Sequence, residues 1–410
     1  MLTYRVAPHE SFYEIGQKGL NPAGAYTEVQ ALNPVKDPHR LPVGRDLRIP
    51  QRLLRTTPIS ATVESFRGLV NIEAAGVRTA AAVGRSLDEG AVIETGENAF
   101  VRLALPDGSH IALPSNSRIR LDRLRQVVLT GAVDRAIGLQ KGRAESIVTP
   151  MKDRGSRYVV STPVAMTSVR GTDFRVAYDP DDGRGSAGVI KGVVAASNAR
   201  SVALINAGQG VTATAAGISK PEALLPAPSL LHPNAPQTEA TLQFTLQPIA
   251  GAKAYRMKLA MDGGLTAPLR EELFPAAAID TAPLPDGAYF AQFTAIAADG
   301  LEGEPAVYPF VRIRNSLTVG AVDQEPAKPG RRTVFHWTSD GPLPGLFHFV
   351  LSRQGDAGPP LIDKDGLTEP QFTAVDLAPG DYRWRVTATR VLEGRRVEVW
   401  SDPQPLQVAK

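Results

Sequence analysis

Histidine is the first residue type to consider for chemistry, because imidazole is both a common metal ligand and a common general base. The six histidines are widely separated, at His9, His39, His110, His232, His336 and His348. His336 and His348 are expected on adjacent strands, where a metal pair is the alternative to two unrelated surface residues. The absence of cysteine excludes disulfides, zinc–thiolate sites and thiol catalysis.

Two overlapping stretches share part of the spacing of known ligand loops. GRGSAG, at residues 183–188, matches G-x-G-x-x-G, but the β-branched VIKGVVAA that follows predicts a strand where a dinucleotide loop needs a helix. DPDDG, at residues 179–183, offers three carboxylates but lacks the EF-hand spacing and its closing glutamate. We expect a flexible hairpin loop here, with calcium binding as the alternative.

A catalytic set is not evident in the sequence. Neither a Gly-x-Ser-x-Gly elbow nor a His-Glu-x-x-His motif occurs, and paired carboxylates such as Glu271 and Glu272 are expected to be surface residues. Catalysis requires a nucleophile or base that a partner orients. We therefore expect a protein that is not an enzyme and that needs no cofactor or metal.

The composition is that of an ordinary globular protein. The chain has 410 residues, of which 43% are hydrophobic and 21% charged, so two to four domains are expected. Residues 101–175 contain 13 Lys or Arg and 6 Asp or Glu, a local charge of 13 − 6 = +7. This excess predicts a solvated charged face, with a patch for an anionic polymer as the alternative.

The first fifty residues predict a strand, two helices and a second strand. LTYRVAP reads as a strand, and capping boxes at Ser11–Glu14 and Thr27–Gln30 each predict the start of a helix. The segment resembles a LysM domain in Tyr4 and Val6, Asn33-Pro34, the DPHRLPVG loop and LRIP. Where LysM domains usually carry Gly-Asp-Thr, this chain has His9, Glu10 and Ser11.

This resemblance implies binding to the N-acetylglucosamine chains of peptidoglycan, in a groove between the first strand–helix loop and the second helix–strand loop. It also implies that Tyr13 or Phe12 stacks on a sugar ring. The glycan-binding residues implied are Pro8, His9, Glu10, Ser11, Phe12, Asn33, Pro34, Leu41 and Pro42.

Short alternating segments with frequent turns predict an all-β region next. The ordered motifs LPDGSHIAL, NSRIRL, LQKGRAE, TPVAMTSVRGTDFRV and NAGQG resemble the FecR domain, which implies a solenoid-like or sandwich-like β fold. The family motif is Arg170, Gly171, Thr172, Asp173 and Phe174. We interpret it as structural rather than catalytic. Gly171 avoids a collision or marks a bulge, Thr172 and Asp173 bond to backbone, and Arg170 binds a carboxylate.

An internal repeat occupies the last part of the chain. LPDGAYFAQFTA aligns with LAPGDYRWRVTA at an offset of 93 residues, which pairs Tyr289 with Tyr382. The repeats resemble fibronectin type III-like sandwiches, in which a corner tyrosine bonds back to the backbone. Trp337, Trp384 and Trp400 are expected to pack in or near the core, although Trp384 and Trp400 could instead form an exposed ligand strip.

The predicted architecture is mainly β and multidomain, with a small βααβ unit at 1–51, a FecR-like β domain at 60–218 and β-sandwiches at 228–316 and 317–410. The resemblances imply a periplasmic scaffold, its signal peptide removed, that binds peptidoglycan and an envelope protein. A periplasmic sensor subunit of a FecR-type signalling system is the alternative. An enzyme acting on glycan would need acidic residues across a groove. Neither nucleic acid nor a membrane span is expected.

Overall fold

The computed structural model describes residues 1–151, 153, 155–326, 331–341, 345–356, 358–392 and 394–409. The chain divides into two compact units, which are described separately. The first comprises Met1–Pro228, Pro248–Pro275 and Gln292–Ala306, and the second comprises Ser229–Gln247, Ala276–Ala291 and Val307–Lys410. The division passes through the third predicted domain. Neither of the α-helices among the described residues has the length and apolar character needed to cross a bilayer.

The N-terminal unit (residues 1–51) has the predicted βααβ order. Its elements are β1 (Leu2–Arg5), α1 (Phe12–Gly19), a 3-10 turn (Ala23–Ala25), α2 (Tyr26–Leu32) and β2 (Asp46–Ile49). The capping box at Ser11 and Glu14 is confirmed, since each side chain accepts from the other residue's amide. The second predicted box is wrong: α2 begins at Tyr26 after Ala25, without a side-chain cap.

The core of the N-terminal unit includes side chains from a distant part of the chain. Strands β1 and β2 pair antiparallel, and their inward residues pack with those of the helices. Val127, Leu129 and Ala132, which belong to the following β region, complete the same core. The N-terminal unit is therefore attached to that region by a shared hydrophobic core.

Nineteen strands are formed by the described residues of the central region (residues 56–223). They are β3 (Thr56–Pro58), β4 (Ala61–Arg67), β5 (Val70–Ala74), β6 (Val77–Ala80), β7 (Ser86–Leu87), β8 (Val92–Thr95), β9 (Phe100–Ala104), β10 (His110–Leu113), β11 (Arg118–Val127), β12 (Val133–Ile147), β13 (Arg157–Ser161), β14 (Met166–Val169), β15 (Asp173–Asp179), β16 (Arg184–Lys191), β17 (Val193–Ser197), β18 (Val202–Asn206), β19 (Gln209–Thr214), β20 (Gly217–Ile218) and β21 (Glu222–Ala223).

Strand pairing arranges the central region into two sheets that share β12. The first sheet follows the order β6-β5-β8-β11-β12-β13-β14-β17-β18, with β3 beside the end of β11. The second follows β7-β4-β9-β10-β12-β15-β16-β19, with β20 and β21 beside β19. Apolar side chains from both sheets form one core. The central region is thus all β, as the alternating pattern predicts.

The remaining strands are β22 (Leu242–Thr245), β23 (Ala252–Ala260), β24 (Arg270–Phe274), β25 (Ala278–Thr281), β26 (Gly287–Ala297), β27 (Ala306–Arg312), β28 (Ser316–Pro326), β29 (Arg331–Asp340), β30 (Leu346–Arg353), β31 (Ile362–Leu367), β32 (Gln371–Val375), β33 (Gly380–Leu392), β34 (Arg395–Trp400) and β35 (Gln404–Val408). In the first unit β23 pairs with β24. In the second unit β22 pairs with β25, and two further sheets have the orders β28-β29-β32 and β31-β30-β33-β34, with β35 on β33.

The 93-residue repeat is visible in the strand boundaries and in the corner tyrosines. Strand β26 begins at Gly287 and β33 at Gly380. The Tyr289 hydroxyl donates to the carbonyl of Pro285 at 2.9 Å, and the Tyr382 hydroxyl donates to that of Ala378 at 2.6 Å. The predicted tyrosine-to-backbone bond is therefore present in both repeats, at equivalent positions.

Aromatic residues form the core of the last sandwich. Trp337 and Trp384 are buried, and Phe349 packs against both. Trp400 is half exposed and lies beside the Arg385 guanidinium. Because Trp384 is buried, it cannot form an exposed ligand strip with Trp400.

The two C-terminal histidines do not form a metal pair. They lie on consecutive strands, but β29 and β30 belong to different sheets. His336 pairs with Asp323 at 3.1 Å, and His348 pairs with Asp363 at 2.5 Å. No group of three metal-ligating side chains occurs in the part of the chain that the structure describes.

Candidate functional site

Strand pairing brings the two loops of the predicted glycan groove together. The last residue pair of β1 and β2 is Arg5 with Asp46, so the loops that leave these ends are neighbours. Two backbone hydrogen bonds extend the pairing: Val6 N donates to Arg45 O at 2.9 Å, and Gly44 N donates to Val6 O at 2.9 Å. The loop before α1 and the loop after α2 therefore lie side by side.

Four of the nine predicted glycan-binding residues are exposed at these loops: Pro8, His9, Pro34 and Pro42. His9 has φ = +66°, in the left-handed region that favours glycine. The main-chain amides of His9 and Glu10 make no hydrogen bond to any residue that the structure describes. These amides are donors that an acetamido carbonyl could use.

Other predicted site residues serve the fold itself. Phe12 is 1% exposed, so its ring cannot stack on a sugar, whereas Tyr13 is 57% exposed and makes an edge contact with Tyr26 at 5.8 Å. Leu41 is also buried. Tyr13 is consequently the aromatic ring that remains available at this surface.

Asn33 is buried and joins α2 to β2. Its side-chain amide donates to Val29 O and Arg48 O, both at 2.8 Å, and its oxygen accepts from Arg48 N at 2.7 Å. Because both ends of the side chain are bonded within the protein, Asn33 is a structural residue. The Asn-Pro step of the resemblance thus has a clear architectural role.

The Glu10 carboxylate stabilises the first loop through several hydrogen bonds. Its carboxylate accepts from the Tyr4 hydroxyl at 2.7 Å, from Ala7 N at 2.9 Å and from Lys18 Nζ at 3.1 Å. Burial alone would raise the pKa of Glu10, but these hydrogen bonds favour the charged form and lower the pKa overall. Together with the Ser11 cap, this leaves the loop backbone well fixed.

The central region contacts the N-terminal unit away from these loops. Leu129 packs so closely on the backbone of Gly19 that a Cβ there would be 2.6 Å from the leucine Cβ. Gly19 is the last residue of α1, whereas the loop residue Ser11 caps its start. The predicted groove is therefore at the end of α1 that the central region does not cover.

The glycine of the RGTDF motif is closely packed against another part of the central region. Gly171 has φ = +121°, and a Cβ there would be 2.5 Å from the Cα of Pro150. The ladder between β15 and β16 is irregular between Asp173 and Phe174. The close approach is therefore at Gly171 itself, whereas the irregularity of the ladder lies two residues later and does not involve the glycine.

The polar residues of the motif make contacts with the main chain. Arg170 donates from Nη2 to the main-chain carbonyl of Asp153. The Thr172 hydroxyl is buried without a hydrogen-bond partner among the described residues, but the Thr172 carbonyl accepts from Val148 N at 2.9 Å. The prediction of a side-chain bond by Thr172 is wrong, because its main chain makes the contact.

Phe174 packs against a group of buried polar side chains. Its ring meets that of Tyr158 edge-on at 6.2 Å, and the Tyr158 hydroxyl lies 3.0 Å from Ser146 Oγ. The Arg135 guanidinium lies 5.4 Å from the Tyr158 ring and is paired with Asp107 of the PDGS turn. Arg135 is 1% exposed, and such a buried charge requires this paired environment.

Carboxylates balance much of the basic excess of residues 101–175. Glu64 pairs with Arg102 at 2.7 Å, and Glu94 pairs with Arg118 at 3.0 Å. Glu89 pairs with Arg125. All three acids lie outside the stretch itself, so a simple count along the sequence overstates the local positive charge.

The most extensive ionic network of the first unit centres on Glu302. Its carboxylate lies 3.0 Å from Arg175, 3.2 Å from Arg143 and 3.3 Å from Arg256. Arg143 and Arg256 also share Glu271. Burial alone would raise the pKa of Glu302, but the arginines outweigh it and hold the pKa well below its usual range.

This network joins two parts of the first unit. Arg143 and Arg175 belong to β12 and β15 of the central region, whereas Arg256 and Glu271 belong to β23 and β24. The Glu271 side chain is 9% exposed, so the expectation of a surface carboxylate is wrong there. The residues are far apart in sequence, and no local motif could have indicated that they meet.

A cavity of about 190 Å³ lies beside the network. Arg102, Arg175 and Lys258 contribute positive charge to its lining, and Glu145 and Asp173 contribute negative charge. Burial raises the pKa of Asp173, with a further contribution from Glu145. Lys258 pairs with Glu145, so part of this charge is neutralised within the protein.

The chain is a multidomain, mainly β protein, and comparison with known families identifies one of its domains. Residues 91–195 match the family model described as FecR protein. This stretch runs from just before β8 into β17 and includes the RGTDF motif, so residues 91–195 form a FecR domain. No curated protein matched the chain.

The solved structures that are similar to parts of the chain include the following two. One is a candidate anti-sigma factor from Parabacteroides distasonis, with 22% identity and a TM-score of 0.27 over 32% of this chain. The chain covers 59% of that protein's length. The other contains the fibronectin(III)-like modules of Clostridium thermocellum CbhA, with 11% identity and a TM-score of 0.21, covering 43% of this chain and 90% of that one.

Proposed function

We propose that this chain is a non-enzymatic, periplasmic scaffold protein of the bacterial cell envelope. In this proposal the N-terminal unit binds the N-acetylglucosamine chains of peptidoglycan, and the FecR domain and the sandwiches present surfaces to an envelope protein. The observation that carries the proposal is the paired loops of the N-terminal unit, which are exposed at the end of α1 remote from the central region.

The shared core suits a tethering role. Val127, Leu129 and Ala132 complete the core of the N-terminal unit, so a glycan held by that unit also positions the FecR domain. A single weak glycan contact then raises the effective concentration of the FecR domain near partners at the wall. Such a protein needs no catalytic residues.

A second candidate is a periplasmic sensor or regulatory subunit of a FecR-type signalling system. The FecR match of residues 91–195 favours it, because that is the part of the chain with an identified family. The two candidates differ in the partner they require. A regulatory subunit needs a membrane protein that carries the signal inward, whereas a scaffold does not.

Sedimentation with purified peptidoglycan tests the proposed glycan contact. The full chain should be found in the pellet, and Tyr13→Ala should shift it toward the supernatant, because Tyr13 supplies the exposed aromatic ring at the loops. Trp400→Ala is the matched control, since it removes a half-exposed aromatic ring from the second unit. A wild-type chain that stays in the supernatant would refute glycan binding.

His9→Gly provides a test in the opposite direction. Glycine adopts φ = +66° without a steric penalty, so the loop backbone is maintained while the side chain at the groove is removed. We expect a larger fraction of His9→Gly than of the wild type to sediment with peptidoglycan. Unchanged or weaker binding would contradict the assignment of the groove to this loop.

Point variants are preferable to removal of residues 1–50. That deletion would expose Val127, Leu129 and Ala132, which the N-terminal unit normally buries. Loss of binding could then reflect misfolding of the central region. A companion assay for sugars released from the wall tests the absence of glycan hydrolysis, and any release by the pure protein would contradict it.

A further inference from the structure

A short segment of the second unit leads from β27, in the first sandwich repeat, to β28, in the last sandwich. This segment (residues 312–315, the joint) is bonded to Gln237, whose N donates to Val311 O at 2.9 Å and whose O accepts from Ile313 N at 3.1 Å. The Gln237 side chain also bonds the amide and the carbonyl of Gln243 in β22, at 2.7 and 2.8 Å. The joint is therefore fastened to the strands of the first repeat that belong to the second unit.

On its other side the joint is bonded to the last sandwich through Asn315, which is 2% exposed. The Asn315 side-chain amide donates to Ala388 O in β33 at 3.0 Å and to Val397 O in β34 at 3.3 Å. Its side-chain oxygen accepts from Arg390 Nε at 3.2 Å. Because the side chain is bonded at both ends, it fixes where the main chain enters the last sandwich.

Two buried arginines lie at the two sides of the joint. Arg312 is 1% exposed and Arg390 is 3% exposed. Arg312 donates to the carbonyls of Gln237 at 3.0 Å and of Ala240 at 3.4 Å. Arg390 donates to Ser339 Oγ at 3.0 Å as well as to the asparagine of the joint. Both guanidinium groups are thus held by uncharged partners in the described part of the chain.

Burial of these two charges is unfavourable in itself. It lowers the pKa of Arg312 and of Arg390, and the neighbouring charge of Asp286 acts against the lowering. Replacing a buried charge by an apolar residue of similar size is often neutral or stabilising, so such arginines are weak evidence for stability. A role that buried polar groups do have in some proteins is to select one geometry, because any other arrangement leaves buried donors unpaired.

Apolar contacts at the joint are suited to a different task. Val311 and Ile313 form a small core with Val397 of β34, and Leu392 packs against it. The hydrophobic effect is non-directional, so this core attaches the two parts without selecting an angle between them. Hydrogen bonds weaken steeply when they are misaligned, so the bonds of the buried arginines are the contacts that depend on orientation.

We propose that the joint is a rigid coupling, in which Arg312 and Arg390 fix one orientation of the last sandwich relative to β22 and β27. The small apolar core attaches the two parts, and the arginines select their angle. The last sandwich is then presented to partners in a defined orientation, so less freedom is lost when a partner binds. This proposal goes beyond the proposed function and depends neither on glycan binding nor on the partner's identity.

Distances between pairs of spin labels, measured by double electron–electron resonance, test the coupling. The chain has no cysteine, so introduced cysteines are labelled selectively. Thr245→Cys in β22 with Lys364→Cys in β31 places one label on each side of the joint. Thr373→Cys with Lys364→Cys is the matched control pair, because Thr373 is also an exposed strand threonine but lies in the last sandwich. The two distance distributions should be equally narrow.

A double variant separates orientation from stability. Arg312→Met combined with Arg390→Met should keep a melting temperature near that of the wild type or above it. The distribution across the joint should broaden or gain a second distance, whereas the control pair should be unchanged. Arg314→Met is the matched control variant, because Arg314 belongs to the joint but pairs with Asp340 at the surface, where an ion pair contributes little. It should leave both distributions as in the wild type.

Several results would overturn the proposal. A wild-type distribution across the joint that is broader than that of the control pair would refute the rigid coupling without any variant. A double variant as narrow as the wild type, or an equal broadening in Arg314→Met, would refute the role of the buried arginines. A double variant that unfolds, or that loses the control distance, would show that these arginines are needed for folding rather than for orientation.

Discussion

The Cα of Pro150 lies only 2.5 Å from the position that the Cβ of a side chain on Gly171 would take. Real Cβ atoms do not approach a backbone carbon so closely. The same glycine has φ = +121°, which L-residues rarely adopt. Glycine is therefore required at this position of the RGTDF motif for two reasons: it adopts the positive φ, and it has no side chain to collide with Pro150.

Gly171→Ala should destabilise the first unit by about 2–5 kcal/mol, from backbone strain and overpacking together. Urea unfolding followed by circular dichroism measures this change. Gly183→Ala is the control, because Gly183 has φ = +63° but no atom within 4 Å of its hypothetical Cβ. It should cost about 1 kcal/mol, from strain alone. Equal losses in the two variants would contradict the steric role of Pro150.

Glu302→Gln should destabilise the first unit by about 3–5 kcal/mol, because it leaves three largely buried arginines without their shared carboxylate. Arg143, Arg175 and Arg256 all lie within 3.3 Å of Glu302. Glu304→Gln is the matched control, since Glu304 is exposed two residues further on. Calorimetry of both variants measures the difference, and similar melting temperatures would refute the importance of the network.

Acid should lower the free energy of unfolding of the first unit because Glu302 becomes protonated. Glu302 has a folded-state pKa well below its usual value, so its contribution is present above the unfolded carboxyl pKa of about 4.3. That contribution is lost as the pH falls below this value toward the folded pKa. Unfolding free energy measured between about pH 6 and pH 3 should therefore decrease in the wild type. The decrease should be shallower in Glu302→Gln, and parallel curves would exclude Glu302 as a cause.

The hydroxyl groups of the two corner tyrosines should contribute similarly to the free energy of unfolding. Tyr289→Phe and Tyr382→Phe each remove a hydroxyl that donates to a backbone carbonyl four residues earlier, at a cost of about 1–2 kcal/mol. Tyr13→Phe is the control, because Tyr13 is largely exposed. Denaturant unfolding monitored by tryptophan fluorescence reports on the last sandwich. If Tyr382→Phe leaves the free energy of unfolding unchanged, the hydrogen bond contributes nothing to stability.

Local sequence patterns predicted the elements that depend on local geometry. The Ser11 cap, the turn at residues 180–183 and the corner tyrosines each rely on residues a few positions apart, and all three are present. The prediction that GRGSAG also lies in the hairpin loop is wrong, because residues 184–188 belong to β16. Capping boxes, turns and short hydrogen bonds leave a direct trace in sequence.

The parts that sequence could not predict depend on distant residues meeting. Glu302 and its arginines come from four separate strands or loops, and nothing in any one segment indicates the others. The burial of Phe12 and the exposure of Tyr13 follow from the phase of α1, which a capping box does not specify. The absence of a cap at Thr27 reflects the 3-10 turn at Ala23–Ala25, which starts the helical backbone earlier.

Part of the hydrophobic core of the N-terminal unit comes from the end of β11 and the turn that follows it, and this affects how the protein folds during synthesis. Translation delivers residues 1–51 well before Val127, Leu129 and Ala132 leave the ribosome. Until then the N-terminal unit lacks part of its hydrophobic core and exposes apolar surface. We therefore expect the nascent chain to remain a client for chaperones until roughly a third of it has been synthesised.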